Sequence, residues 1–576
     1  MLAADVRRML QRLRHRGPDG EAVATHPSGA VGLCRLAISQ PDAPAQVFAS
    51  GNVFAVTNGE IDNHAALRAS HRQAVDTAVV PELFAAGGAA GMAQLRGMYA
   101  CIVHDVTSNK MHLLRDPLGK KPLYYRQVPG RVLVASEQKA LFIDDVPRVD
   151  VARAARFFVR GFLDDDEPLF AGVQVVPPGG HVCIDDAGIT VSIFSRIDDS
   201  LSDTCLDLSQ LDHLFSQAVQ RRHRDDVGCV TLLSGGIDSA LVAHAAGVPC
   251  ATVAVPGRSE ADPAALRARR IGLPHACVAA REPSRARARL ALRHLEVPDV
   301  GGVWEMAPAL LDLAEALREG GARVAFTGEG ADELFLGYPW QRASWAFSRF
   351  MPLPARDKDA LALAMSFGMQ RMNAPHARAF EHWRRAVQAG TWRASTDAVA
   401  LLFPSLTSEQ LQQAQAPGPR ASLASAAPHP ERALQLDALT RDMLTLPVLH
   451  ADRLLMAHGI EARLPFLDED LVRAALHIPA ADLANKLKEK PVVYALAKLR
   501  GVPGPARKKI GFSGRARPSD ADVNAWMGDG LRQDTRVFAH DALAAFARTA
   551  APSLTWRAIL LEETAAVMGG EKGWAA

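Results

Sequence analysis

Up to about residue 195, apolar residues come in short runs separated by turn signals. Examples are Val31-Gly32-Leu33, Val53-Phe54-Ala55-Val56, Tyr99-Ala100-Cys101-Ile102-Val103, Met111-His112-Leu113-Leu114 and Val132-Leu133-Val134. Runs of this length and spacing predict strands gathered into sheets. Helical patches fall at residues 65–70 and 79–86, and the Arg-rich, amphipathic residues 1–16 read as a further helix. The result is a mixed α+β region over residues 1–195. Past residue 205 the rhythm changes. Strand candidates at 227–233, 250–255 and 323–326 alternate with helical stretches at 239–246 and 262–270. Strands alternating with helices imply a parallel sheet with crossover connections. Beyond residue 340 the chain is rich in Ala, Leu and Arg and mostly helical in pattern, with a loop expected at 414–430. The expected division is therefore 1–195 and 205–576.

The length of 576 residues suits two or more cores. Basic and acidic residues nearly balance, 65 against 63, so no electrostatic footprint for general nucleic-acid binding exists. No apolar run is long enough to span a bilayer. The seven cysteines form no CxxC pair, and several lie in apolar strand-like runs. They read as buried thiols of a reducing compartment, which places the protein in the cytoplasm.

The sharpest chemical signal is Leu233-Ser234-Gly235-Gly236-Ile237-Asp238-Ser239. A strand ends, a Ser-Gly-Gly turn follows and a helix begins. Glycines allow close backbone approach to a ligand, and a helix N-terminus offers free N–H groups to an anion. Ser234 and Ser239 add hydroxyl donors. A carboxylate at Asp238 beside a phosphate needs an intervening cation, which points to Mg²⁺. The second loop, Thr327-Gly328-Glu329-Gly330-Ala331-Asp332-Glu333, again follows a strand. Two such turns in one parallel sheet meet at its carboxyl edge, and Asp332 becomes the second metal ligand opposite Asp238. The plain alternative for Asp332 and Glu333 is a charge pair favoured at a helix N-terminus.

The first loop resembles the SGGxDS loop of the N-type ATP pyrophosphatases, and both together resemble the asparagine synthetase family. The stretch from Asp452-Arg453 through Glu461-Ala462-Arg463-Leu464-Pro465-Phe466-Leu467-Asp468, and Arg507-Lys508-Lys509-Ile510-Gly511-Phe512, look like further motifs of that family in its order. The resemblance implies an α/β doubly wound, HUP-like ATP pyrophosphatase region with a helical C-terminal part. It implies ATP and Mg²⁺ as cofactors. Ser234, Gly235, Gly236, Asp238 and Ser239 would hold pyrophosphate and metal, and Leu233, Val253 and Gly328 would line the adenosine pocket. Asp332 would bind Mg²⁺, Glu329 would stand next to the reacting centre, and Lys509 would stabilise charge at the adenylate. Glu461, Arg463 and Asp468 read as a structural ion network rather than as chemistry.

Arg16-Gly17-Pro18-Asp19-Gly20, Arg35-Leu36-Ala37-Ile38, Asn58-Gly59-Glu60-Ile61 and the run from Arg115 to Tyr125 resemble the family's class II glutaminase domain. That likeness implies an Ntn-hydrolase-like sandwich of two antiparallel sheets between helices. Arg35 would bind the glutamine carboxylate, Asn58 and Gly59 would form an oxyanion hole, and Asp76 would hold the amine. The family's nucleophilic cysteine opens the mature chain, whereas this sequence opens at Met1-Leu2. Cys34 lies mid-chain without a free α-amino group, so glutamine hydrolysis is not expected of this sequence as it stands. Three functions fit. The first is an asparagine synthetase-type ligase that adenylates an aspartate-like carboxylate and couples it to ammonia or an amine, with glutamine as the nitrogen source if the true start lies upstream and restores the cysteine. The second is a cyclase such as a lasso-peptide macrolactam synthetase or a β-lactam synthetase-like enzyme, acting on a peptide or small-molecule carboxylate. The third is a nucleotide-binding scaffold. The missing cysteine favours the second, whereas Glu329 and the well-kept glutaminase motifs favour the first. A homodimer, or a complex with a peptide-processing protease, is the expected assembly.

Overall fold

The computed structural model describes residues 2–67, 75–160, 162–197, 207–223, 226–255, 260–299, 302–338, 438–445, 447–483, 490–504 and 552–569, with scattered positions at 407, 432–436 and 518–538. The loop expected at 414–430, residues 68–70 of the first helical patch, and Lys509 lie outside the described residues.

Helix α1 (Leu2–Leu13) packs on a hairpin of β1 (Glu21–His26) and β2 (Gly29–Cys34). There follow β3 (Phe48–Ser50), β4 (Val53–Ile61), α2 (Val79–Gly91), β5 (Gly97–Asp105), β6 (Lys110–Arg115), β7 (Tyr124–Val128), β8 (Arg131–Ala135), α3 (Val151–Arg160), β9 (Val173–Val175), β10 (Gly180–Asp185) and β11 (Gly188–Ile193). One antiparallel sheet has the order β11-β10-β6-β5-β4-β3 and another has β8-β7-β9. The two expected antiparallel sheets are thus joined by a third element, the separate β1–β2 hairpin.

Side-chain alternation explains how the large sheets stack. Along β5, Tyr99, Cys101 and Val103 turn toward Val80 and Phe84 of α2. The intervening Ala100 and Ile102 turn the other way, where they meet Tyr125, Val132 and Val134 of the smaller sheet. Period-two alternation puts one set of residues on each face of a strand. The outer face of the smaller sheet, with Tyr124, Leu133 and Ala135, packs against Phe157 of α3 and against helices from the second half of the chain.

The second half begins with α4 (Leu208–Arg221), capped by Asp207, whose carboxylate accepts the Ser209 amide at 3.2 Å. Then come β12 (Gly228–Leu232), α5 (Ile237–Ala246), β13 (Cys250–Ala254), α6 (Ala261–Ile271), β14 (His275–Ala279), α7 (Arg285–Leu295), α8 (Met306–Glu319), β15 (Ala322–Phe326), a single helical turn at Ala331–Leu334, α9 (Pro447–Met456), β16 (Glu461–Arg463), α10 (Glu469–Leu476), α11 (Pro491–Leu499) and α12 (Pro552–Gly569). The five strands form one parallel sheet of order β14-β13-β12-β15-β16. The order runs outward from β12 in one direction and then restarts from β15 in the other. Between these two central strands the connections diverge to opposite sides, and such a switch point opens a crevice at the carboxyl ends of the strands. Helix α5 stops at Gly247, which takes the left-handed conformation (φ 66°) that ends many helices. No described helix is long and apolar enough to cross a membrane.

The halves meet through buried charges. Arg16 binds Glu137 at 3.0 Å and Asp452 at 2.8 Å, and Lys121 binds Asp452 at 3.0 Å and also Glu461. Arg453 pairs with Glu137 at 3.2 Å and with Glu296 at 3.1 Å, Arg222 with Asp62 at 3.0 Å and with Asp468 at 2.7 Å, and Arg463 with Glu60. Glu461, Arg463 and Asp468 therefore belong to a structural ion network, as their pattern suggested.

Candidate active site

Both glycine loops stand at the switch point. The first leaves β12 and enters α5 with Gly236 as its N-cap, and no side chain caps that helix. First-turn amides without a side-chain cap are an anion-binding arrangement. The turn itself is braced from within. The Ser239 hydroxyl accepts the Ser234 amide at 3.1 Å and lies 3.0 Å from the Ser234 hydroxyl. The Gly236 amide reaches Ser234 Oγ at 3.1 Å. The Gly235 amide donates to Glu260 at 2.7 Å, and the Gly235 carbonyl accepts from buried Arg267 at 3.1 Å.

The second loop leaves β15 and passes directly over the first. A Cβ added at Gly328 would lie 2.7 Å from the Ser239 amide nitrogen and 3.0 Å from the Asp238 carbonyl carbon. Only a residue without a side chain lets the two backbones approach so closely. The loop is held from its other side by the Thr327 amide, which donates to the Arg463 carbonyl on β16 at 2.9 Å.

Asp238 and Asp332 converge on one point, where the ammonium of Lys490 lies 2.6 Å from Asp238 Oδ2 and 2.6 Å from Asp332 Oδ1. Burial opposes charging this lysine, but the two carboxylates prevail and hold its pKa above the ordinary lysine value. The second oxygen of Asp238, Oδ1, is buried with no hydrogen-bond partner among the described residues. Two carboxylate oxygens that share one cation, with a further oxygen unclaimed, fit the donor set expected of Mg²⁺. No group of three or more metal-ligating side chains occurs among the described residues. A magnesium here would draw its remaining ligands from phosphates and water, as that ion usually does.

Glu329 is exposed beside this point, and its amide donates to Thr327 Oγ1 at 3.3 Å. Glu333 is buried and accepts the Tyr338 hydroxyl at 2.6 Å. Burial, and next the charge of Glu329, push its carboxyl up to about 8. Leu233 and Val253 are both buried at the ends of neighbouring strands, but their side chains enter different hydrophobic clusters. Their backbones are adjacent instead, since the Leu233 amide binds the Ala251 carbonyl at 2.8 Å and the Thr252 hydroxyl binds the Leu233 carbonyl. Sequence reasoning missed Lys490, Glu260 and Arg267. Lys490 closes a basic run with Lys486 and Lys488, which reads as a solvated surface; its one signal is its place before Pro491 at a helix start.

The remaining residues singled out gather in the N-terminal half. A cavity of about 660 Å³ is lined by Cys34, Arg35, Asn58, Gly59 and Asp76, and reaches Glu461 on β16. Asp76 accepts the Ile61 amide at 2.8 Å, and Asn58 donates to Ser136 at 3.2 Å. The Arg35 guanidinium is turned onto its own loop, donating to the carbonyls of Ser39 at 2.9 Å, Gln40 at 2.6 Å, Pro41 at 3.2 Å, and Ala43. The Cys34 thiol donates to the Leu10 carbonyl at 3.4 Å, and burial pushes it up to about 12, far from a reactive thiolate.

The model of the asparagine synthase family matches residues 210–566, more than half of the chain. The chain belongs to the asparagine synthase family. A glutamine amidotransferase domain model matches residues 2–195. Among curated relatives, asparagine synthetase 1 (glutamine-hydrolyzing) of Bacillus subtilis is 26% identical over 553 residues, covering 88% of this chain and 83% of the relative. A putative asparagine synthetase (glutamine-hydrolyzing) of Mycobacterium tuberculosis is 28% identical, covering 88% and 84%. Asparagine synthetase B of Escherichia coli is 29% identical over 359 residues, covering 57% and 60%. This asparagine synthase family member is an ATP-dependent, AMP-forming carbon–nitrogen ligase. The cyclase and scaffold readings are not favoured by these matches.

Proposed function

We propose that the protein adenylates the side-chain carboxylate of aspartate, or of a closely similar small acid, and passes the acyl group to ammonia. The observation that carries this reading is the convergence of Asp238 and Asp332 on one cation at the switch point. In this reading residues 1–195 form an Ntn-hydrolase-like amidotransferase unit and residues 205–576 a HUP-like ligase unit. The loop Ser234 to Ser239 binds the pyrophosphate of ATP through the first-turn amides of α5. The backbones at Leu233 and Val253, with Gly328, border the adenosine. Asp238 and Asp332 hold Mg²⁺, which when bound neutralises charge on the leaving pyrophosphate. Glu329 lies at the exposed edge, where it receives a proton from the incoming amine. Lys509 is assigned the adenylate by its motif alone.

Ammonia is favoured over glutamine as the nitrogen source by Arg35, which directs its guanidinium to carbonyls of its own loop. The test is isotope exchange between pyrophosphate and ATP in the presence of aspartate, followed by assay of asparagine with ammonium or glutamine. Wild-type protein should exchange and should form asparagine with ammonium. Asp238→Asn should keep its circular dichroism and lose exchange. Wild-type exchange in that variant would reject the paired-aspartate site, and failure to make asparagine would reject the substrate assignment.

A further inference from the structure

Lys490 has three unusual features. Its side chain is 2% exposed, although lysine is among the residues least often buried. Its backbone is left-handed, with φ 42° and ψ 59°, at the position just before Pro491. A non-glycine residue at positive φ is uncommon, and a following proline disfavours helical conformations further. Strain of this kind persists only where the surroundings over-determine it. Its stem, finally, runs through a groove that glycine leaves open. A Cβ at Gly337 would lie 2.8 Å from Lys490 Cδ and would overlap Asp332 Oδ1. The ammonium at the end of this stem touches both aspartates at 2.6 Å.

We propose that Lys490 is a resident counter-ion that holds the metal point between Asp238 and Asp332 until nucleotide arrives, so that divalent-cation entry requires the ammonium to leave. This rests on the paired-aspartate reading above and adds a rule of order to it. A divalent ion bonded to the two oxygens that Lys490 touches, Asp238 Oδ2 and Asp332 Oδ1, would stand where Nζ stands, so ammonium and metal compete for that place. Two carboxylates and one ammonium leave a net charge of −1, too little to draw a divalent ion past an ammonium already in place. Nucleotide changes the balance, because its phosphates offer the displaced ammonium a new anionic partner and the metal new ligands. Lys490 thereby makes metal binding conditional on nucleotide and offsets charge on buried Asp238 and half-buried Asp332 in the nucleotide-free site.

The test reads Mn²⁺ binding by electron paramagnetic resonance, without turnover, on full-length protein with and without a non-cleavable α,β-methylene ATP. Wild type should bind Mn²⁺ only weakly alone and at least about tenfold more tightly with the nucleotide, given the strength of like-charge repulsion at a few ångströms. Lys490→Met should bind Mn²⁺ at least about tenfold more tightly than wild type in the absence of nucleotide, while Lys490→Arg should behave like wild type. Unchanged or weaker nucleotide-free binding in a folded Lys490→Met would overturn the proposal. If that variant does not fold, the wild type decides alone, since equal Mn²⁺ affinity with and without nucleotide is equally fatal. No Mn²⁺ binding by any form, even with nucleotide, would overturn the paired-aspartate reading and this inference with it. Nucleotide-dependent binding in wild type with no change in Lys490→Met would overturn this inference alone.

Discussion

The Glu60–Arg463 pair offers a quantitative test of how the two halves are joined. The Arg463 side chain is 0% exposed and that of Glu60 is 7% exposed, and each guanidinium nitrogen of the fork meets one carboxylate oxygen. Their surroundings are as dry as a protein core, so the pair's own attraction is largely offset by desolvation. Removing one partner removes the attraction and keeps the desolvation. Arg463→Met should therefore cost about 3–5 kcal/mol, and Glu60→Met a similar amount. The double variant replaces two charges by apolar stems of similar length, and should fall within about 1 kcal/mol of wild type. Urea unfolding can follow both sides of the joint. All eight tryptophans lie at residue 304 or beyond, whereas Tyr99, Tyr124 and Tyr125 report the N-terminal sheets. Both signals should shift together in each single variant. Single-variant losses under about 1 kcal/mol, as expected of exposed pairs, would refute the reasoning. So would a double variant whose loss equals the sum of the singles.

Two other expectations follow from the loops. Glu333 titrates near 4.5 when unfolded and is held up to about 8 in the fold, so between those values the native state carries the extra proton. Its contribution to stability is complete below about 4.5 and is lost as pH rises through about 8. The unfolding free energy of wild type relative to Glu333→Gln should accordingly fall by a few kcal/mol between pH 5 and pH 8, and a flat difference would exclude the buried protonated acid. Gly328→Ala would press a methyl group onto the backbone at Ser239, parting the loops with a loss of about 1–3 kcal/mol in stability. Its affinity for a fluorescent ATP analogue should drop by at least tenfold, and wild-type affinity would show that the loops need not touch.

What could be read along the chain was local. The strands at Gly228–Leu232, Cys250–Ala254 and Ala322–Phe326 and the helices after the first two carry their patterns locally, and their expected bounds differ from the observed ones by only one or two positions. The meeting of the two glycine turns was legible too, because strand-to-helix turns of a parallel sheet share one edge. Strand β16 was not. Glu461-Ala462-Arg463 is two-thirds charged, and it is a buried strand only because Glu60 and Lys121, more than three hundred residues away, neutralise it. Lys490 was hidden for the same reason, since its partners are Asp238 and Asp332 and nothing beside it in the chain announces them. Leu233 and Val253 came out as buried neighbours whose side chains diverge, because the register across β12 and β13 decides facing and residue type does not.

The joint between the halves also limits what can be transplanted. Arg16 and Lys121 arrive from one side with two positive charges, and Asp452 and Glu461 from the other with two negative ones. Either half expressed alone would present water with a surface built for a missing opposite sign. A chimaera that takes its first 195 residues from a homologue would fold as one body only if that donor brings cations to the same two places, or if the recipient's aspartate and glutamate are rewritten with it.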